Sequence, residues 1–188
     1  ADHNQPLALF AIADTTKDTS HEAIRELNSL GVKTLLLTGD NQHTANAIGT
    51  AVGITEVRGD LLPNDKLKVI EEFVKNSSTI GMVGDGINDA PALVQADVGI
   101  AIGAGTNVAI ESAGIVLVKD DPRDIPKIIR LSRLTYRKMI QNLWWASGYN
   151  IVALPLAAGI AVAWGIVLNP AVSAIFMSLS TVIVAVNA

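Results

Sequence analysis

The stretch Ile80-Gly81-Met82-Val83-Gly84-Asp85-Gly86-Ile87-Asn88-Asp89-Ala90-Pro91-Ala92-Leu93 runs from apolar residues straight into two carboxylates and a carboxamide. The apolar run reads as a buried strand, and Ala90 to Gln95 behind the acids reads as a helix. Such a unit belongs to an open parallel sheet, where ligands bind at the carboxyl ends of the strands. A second polar strand end lies upstream, where Leu35-Leu36-Leu37 runs into Thr38-Gly39-Asp40-Asn41.

Outward from these two junctions, residues 1–124 alternate short apolar runs with helical patterns, which predicts an α/β domain built on a parallel sheet. Strands are expected at Leu7 to Ala13, Lys33 to Leu37, Thr79 to Val83, Val98 to Ile102 and Ile115 to Val118. Helices are expected at Ser20 to Leu30, Gln42 to Val52, Asp65 to Lys75, Ala90 to Gln95 and Asn107 to Ser112. Thr19 followed by Glu22 reads as a capping box for the first helix, and Gly31 and Gly53 stand where helices end.

Charge divides the chain. Residues 1–124 carry nine basic side chains against all eighteen acidic ones, a balance of -9, while residues 125–188 carry five basic side chains and no acid. The last charge is Lys138, and the fifty residues beyond it have none. Such a segment predicts two membrane-spanning helices, Asn142 to Trp164 and Pro170 to Ala188, joined by a turn at Gly165 to Asn169. Lys127, Arg130, Arg133, Arg137 and Lys138 precede the first span and place the α/β domain on the cytoplasmic side. The expected organisation is an α/β domain over 1–124, an amphipathic linker helix over 125–141 and a transmembrane hairpin over 142–188. That makes a multi-pass protein of the cell membrane with the lipid bilayer as a partner. The linker can lie against anionic headgroups or simply extend the first span.

Several classes fall away. The balance of -9 on the α/β part argues against a nucleic-acid partner. Cysteine is absent, so neither disulfides nor thiolate metal sites form. Gly103-Ala104-Gly105 begins a dinucleotide fingerprint, but Val108 stands where its third glycine belongs. His3, His21 and His43 lack metal-ligand spacing.

The residues at the two strand ends suit phosphoryl chemistry. Thr38 offers a hydroxyl and Gly39 a backbone N–H, both near the positive end of the following helix. Asp85 and Asp89 would repel a phosphate unless a divalent cation lay between them, and their hard oxygens beside Asn88 suit Mg²⁺. Lys66, opening a helix after Pro63, can neutralise charge on a transferring phosphoryl group.

TGDN at 38–41, Pro63 followed by Lys66, and GDGINDAPAL at 84–93 closely resemble the phosphorylation domain of P-type ATPases, which has a haloacid dehalogenase-like fold. The resemblance implies ATP and Mg²⁺ as cofactors and a catalytic set of Thr38, Gly39, Asp40, Lys66, Asp85, Asn88 and Asp89. In that set Thr38, Gly39 and Lys66 bind the phosphoryl group, and Asp85 with Asp89 holds Mg²⁺. The family's phosphorylated aspartate lies in a DKTGT motif, a string this sequence lacks. The resemblance therefore implies a partner segment, an upstream half of the same transporter carrying that motif.

Polar residues inside the expected spans share helix faces: Asn142, Tyr149 and Asn150 on one, and Met177, Ser180 and Thr181 on the other. N-x6-YN-x4-P and MSLST, which adds Ser178, resemble the last two membrane helices of heavy-metal P-type ATPases, specifically copper and silver exporters. The resemblance implies Asn142, Tyr149, Asn150, Met177, Ser178, Ser180 and Thr181 as residues of the transported-metal site, and the Met177 thioether suits Cu(I) or Ag(I). Two alternatives compete with an ATP-driven transporter: a non-catalytic membrane module, and a membrane-anchored phosphatase of the same fold using Asp14 as nucleophile.

Overall fold

The computed structural model describes residues 16–76, 79–85, 88–103, 111–160, 162, 165 and 169–187, without the side chains of 149, 157 and 170. The expected strand Leu7 to Ala13 and Asp14 lie outside the described residues, as does most of the expected helix Asn107 to Ser112. The chain divides into two compact units, Ala1–Lys127 and Ile128–Ala188.

The first unit orders its elements as α1 (Asp18–Ser29), β1 (Leu35–Leu37), α2 (Gln42–Val52), β2 (Glu56–Arg58), α3 (Pro63–Lys75), β3 (Gly81–Gly84), α4 (Ala90–Gln95), β4 (Val98–Ile102) and β5 (Ile115–Leu117). Every described strand pairing is parallel, as the alternating pattern predicts. β1 pairs with β2, and β3, β4 and β5 form a second ladder in that order. Parallel neighbours require crossovers: α2 connects β1 to β2 and α4 connects β3 to β4, while α3 leads from the first ladder to the second.

Ile70, Met82, Ala92 and Leu93 form a buried cluster, with Leu37, Val74, Ile80 and Ala96 packed against it. This cluster draws α3, α4 and β3 together with the end of β1, so both polar strand ends are seated on one apolar foundation. Burying a side chain of the size of Leu93 contributes about 1.5–3 kcal/mol.

Local signals explain most element ends, with two corrections. Helix α1 starts at Asp18, and its N-cap Lys17 makes no side-chain cap bond, so the Thr19–Glu22 capping box does not form. Lys17 pairs instead with Asp120, and the chain enters the helix two residues before the expected start. At the other end Gly31 N–H donates to Asn28 O and Val32 N–H to Leu27 O, closing α1 with a glycine at φ 74°. Helix α3 begins at Pro63, and Asp65 in its first turn accepts the Leu62 N–H. The second correction is β2, absent from the sequence reading: Glu-Val-Arg offers one apolar residue, and the strand exists through its register with Leu35 to Leu37.

In the second unit, α5 (Asp124–Ala157) begins at the close of the first unit and continues to Ala157, and α6 (Pro170–Asn187) follows. Among the described residues no helix is long and apolar enough to cross a membrane. The expected span Asn142 to Trp164 is not a single helix: α5 ends two residues past Pro155, and Gly159 follows in a left-handed conformation. Helix α6 has 18 residues, about 27 Å at ~1.5 Å per residue, slightly short of a hydrocarbon core of roughly 30 Å.

Candidate phosphoryl-transfer site

The first polar strand end is a closed turn. Thr38 N–H donates to Arg58 O at 3.1 Å, extending the β1–β2 pairing by one residue. Thr38 Oγ1 then donates to Asp40 Oδ2 at 2.9 Å and accepts the Asp40 N–H at 3.1 Å. Asn41 caps α2 by accepting the Thr44 N–H at 2.9 Å, and Gln42 N–H donates to Asp60 Oδ2 at 3.0 Å. The amides of Gln42 and Thr44 at the start of α2 are thus already committed to protein oxygens. The Gly39 N–H beside Thr38 has no hydrogen-bond partner among the described residues. An incoming anionic oxygen would meet this amide and the Thr38 hydroxyl, with the positive end of α2 acting only behind its caps.

The second strand end is joined to the first through α3. Leu61 N–H donates to Thr38 O at 3.1 Å, and Leu62 is the N-cap of α3, so the helix that carries Lys66 starts beside the Thr38 segment. Lys66 Nζ donates to Asp89 Oδ1 at 2.7 Å, with the two side chains 15% and 14% exposed. Asp89 is the N-cap of α4 but makes no side-chain cap bond, so its carboxylate turns to Lys66. Gly84 makes this placement possible, since a Cβ there would lie 2.8 Å from Asp89 Oδ2. Asp85 stands one residue past β3 and Asn88 next to Asp89, while Gly86 and Ile87 lie outside the described residues.

Among the described residues no cluster of three or more His, Cys, Asp or Glu side chains forms a metal cage. The donor set nevertheless fits Mg²⁺, which is commonly held by one or two carboxylates together with phosphate oxygens and water. Asp85, Asn88 and Asp89 supply hard oxygens of that kind within five residues of a strand end.

Beside Lys66 in the first turn of α3, Asp65 is held below the ordinary carboxylate range, chiefly by its hydrogen bond from Lys68 and then by the Leu62 N–H. Asp121 is lowered to about 2 by the hydrogen bond from the Arg123 side chain and then by the Arg123 backbone amide. Both are structural pairings, that of Asp65 with Lys68 exposed and that of Asp121 with Arg123 partly buried.

In the second unit the expected transport residues lie on two helices, Asn142 and Asn150 on α5 and Met177, Ser178, Ser180 and Thr181 on α6. Asn142 Oδ1 accepts from Asn187 Nδ2 at 2.7 Å, and Lys138 Nζ donates to Asn187 Oδ1 at 2.7 Å. Asn150 donates to Ala146 O, Ser178 to Ala174 O and Thr181 to Met177 O, each a bond within its own helix. Met177 is exposed, Ser180 is partly exposed, and the Tyr149 side chain lies outside those described. Sequence reading missed Asn187, Asp60 and Gln42. Only the Gly59-Asp60 pair carried a local signal, that of a turn.

A parallel α/β core with Thr38 and Asp89 following its strands, and Lys66 of α3 paired with Asp89, defines a class, and comparison with known proteins agrees. The model of the haloacid dehalogenase-like hydrolases matches residues 1–97, and the chain belongs to that family. The particular relatives are metal transporters. The chain is 50% identical over 184 residues to the probable copper-transporting P-type ATPase B of Staphylococcus aureus, covering 98% of this chain and 27% of that protein. To the copper-exporting P-type ATPase B of Archaeoglobus fulgidus it is 54% identical over 180 residues, covering 96% of this chain and 26% of that protein. Among solved structures, a zinc-transporting PIB-type ATPase in its E2·Pi state matches with a TM-score of 0.79 and 37% identity, over 93% of this chain and 28% of that one. A catalytic CPx-ATPase domain matches with a TM-score of 0.59 and 32% identity, over 68% of this chain and 51% of that one. The chain thus spans about a quarter of the length of these curated relatives. The resemblance to P-type ATPases carried by TGDN, Pro63 with Lys66, and GDGINDAPAL is borne out, and so is the one to heavy-metal transporters carried by N-x6-YN-x4-P and MSLST.

Proposed function

We propose that this chain is the C-terminal part of an ATP-driven copper or silver exporter of the P-type, supplying phosphoryl- and Mg²⁺-binding groups and two membrane helices. The observation that carries this reading is the Lys66–Asp89 pair at the carboxyl end of β3, tied through Leu61 to the Thr38-Gly39-Asp40 turn. In the intact protein an upstream aspartate in a DKTGT segment would take the γ-phosphoryl group of ATP. The Thr38 hydroxyl would turn from Asp40 to a phosphoryl oxygen, the Gly39 N–H would donate to a second, and Lys66 Nζ would leave Asp89 for the phosphoaspartate. Mg²⁺ held by Asp85, with Asp89 and Asn88 completing its surroundings, would offset the charge of the transferred group. Metal transport would follow from conformational exchange between phosphorylated and free states.

The membrane assignment rests on composition and exposure. The fifty residues after Lys138 carry no charge, and Leu143, Ile151, Leu154, Ile175, Phe176, Val182 and Val186 all stand exposed. Apolar helices with outward-facing side chains are unsuited to water. A helix slightly shorter than the hydrocarbon core is accommodated by local thinning. On this reading residues 1–124 are cytoplasmic, 125–141 link them to the hairpin, and Asn142, Tyr149, Asn150, Met177, Ser178, Ser180 and Thr181 contribute to the metal path. Copper is favoured over zinc by the Met177 thioether and by relatives described as copper transporters.

In the intact transporter, Asp85→Asn removes a negative ligand while preserving shape, and phosphoenzyme formed from radioactive ATP should fall about a hundredfold. Labelling at the wild-type level would sink the assignment.

A further inference from the structure

Asp60 is the single described non-glycine residue with positive φ, at 55°. Only a few per cent of non-glycine residues adopt this region, with Asp and Asn enriched. Asp60 lies in the crossover between β2 and α3, and its hydrogen bonds converge on the turn at the end of β1. Its backbone N–H donates to Asp40 O at 2.6 Å, and its carboxylate accepts the Gln42 N–H at 3.0 Å. On either side of it, Arg58 O receives the Thr38 N–H and the Leu61 N–H donates to Thr38 O, each at 3.1 Å.

Gln42, the first residue of α2, answers from the other side. Its Oε1 accepts the Gly59 N–H at 2.7 Å, and its Nε2 donates to Val57 O at 3.2 Å and to Asn46 Oδ1 at 2.8 Å. The two segments approach so closely that a Cβ on Gly59 would lie 2.7 Å from Gln42 Cα and 2.9 Å from Asp40 O. Both neighbours of Gly39 are therefore held, while the Gly39 N–H has no partner among the described residues.

We propose that Asp60 is a positioning residue for phosphoryl binding: its left-handed backbone and its carboxylate together lock the Thr38-Gly39-Asp40 turn so that the Gly39 amide and the Thr38 hydroxyl face the incoming oxygen. The carboxylate has a second effect. By occupying the first amide of α2 with negative charge, it denies that amide to the phosphoryl group and confines the anion to Thr38 and Gly39. Asp60 touches no reacting atom and acts through Asp40 and Gln42. This inference rests on the phosphoryl site proposed above.

The test uses orthovanadate as a phosphoryl mimic against the ATPase activity of the intact transporter, with a melting temperature measured for each variant. Asp60→Gly keeps the left-handed backbone but loses the carboxylate, and should raise the half-inhibiting vanadate concentration about fivefold, the loss expected of one net hydrogen bond. Asp60→Asn keeps both the conformation and an acceptor oxygen, and should stay within about twofold of wild type. Thr38→Ala should weaken inhibition directly, and adding Asp60→Gly to it should bring little further change because both act on one turn. If Thr38→Ala weakens vanadate inhibition but Asp60→Gly does not, or if Asp60→Gly and Asp60→Asn shift it equally, the role of Asp60 is overturned while the site stands. If Thr38→Ala has no effect, the phosphoryl site itself fails and the role of Asp60 falls with it. A lowered melting temperature with unchanged vanadate inhibition would reduce Asp60 to a purely structural residue and overturn the proposal.

Discussion

The Lys66–Asp89 pair is the residue on which the site's electrostatics turns. With roughly a seventh of each side chain exposed, both charges have lost most of their water, and each depends on the other for compensation. Removing one partner strands its mate, whereas removing both leaves no orphan. Lys66→Ala and Asp89→Ala should each destabilise the protein by about 1–3 kcal/mol, between the exposed and fully buried limits. The double variant should cost less than their sum. Urea midpoints for the four proteins check this, and simple additivity would show that the pair is not coupled. The identities of Lys66 and Asp89 were readable in the motifs, but 23 residues separate them. Their meeting depends on α3 and α4 packing over the same strand, which no local pattern encodes.

Among the elements, α5 is fastened where it leaves the first unit. Ile125 and Pro126 are buried at its start. Just before it, Arg123 donates to Asp121 Oδ2 at 2.8 Å and pairs with Glu22 of α1 at 3.5 Å. The Arg123 side-chain hydrogen bond, followed by its backbone amide, holds Asp121 at about 2, and the same pairing raises Arg123. A depressed carboxyl contributes stability that is fully present above its unfolded value of about 3.9 and is lost as pH falls through its folded value. The wild-type denaturation midpoint should therefore drop between about pH 4 and pH 2 more steeply than that of Asp121→Asn. Parallel slopes in that window would show that this pairing does not stabilise the helix start. Other elements divide by whether their signal is local. Pro63 and Gly31 marked the ends of α3 and α1, whereas β2 has three residues and one apolar side chain. It becomes a strand only because β1 offers it a partner.

On the scale of the whole molecule, two compact units carry opposite charge and opposite relations to solvent. The first buries Ile70, Met82, Leu93 and Ile100 in its own core, while the second displays Trp144, Ile151, Phe176 and Val186 outward. If the second unit is embedded in lipid, the chain expressed in cells should stay with the membrane pellet after alkaline carbonate extraction and enter solution only with detergent. Release by carbonate alone would count against the membrane hairpin. The acidic first unit and the basic stretch from Lys127 to Lys138 were evident from the order of charges in the sequence. The length of the expected first span was not. Uninterrupted apolar composition predicted a helix to Trp164, but Pro155 and the left-handed Gly159 end α5 near Ala157, because backbone geometry stops a helix whatever its hydropathy.

By itself the sequence determined the parallel α/β architecture, the chemical character of the two strand ends and the family, because glycines, carboxylates and apolar runs at fixed spacings are properties of a local string. Tertiary structure alone decided that the Asp89 carboxylate turns to Lys66 instead of capping α4, and that Asn142 bonds to Asn187. It also decided that a left-handed Asp60 from a different crossover grips the Thr38 turn. Each of those contacts joins residues 18 to 45 positions apart. Their geometry is fixed by how strands pair and helices pack upon them, and that information exists only once the chain has folded.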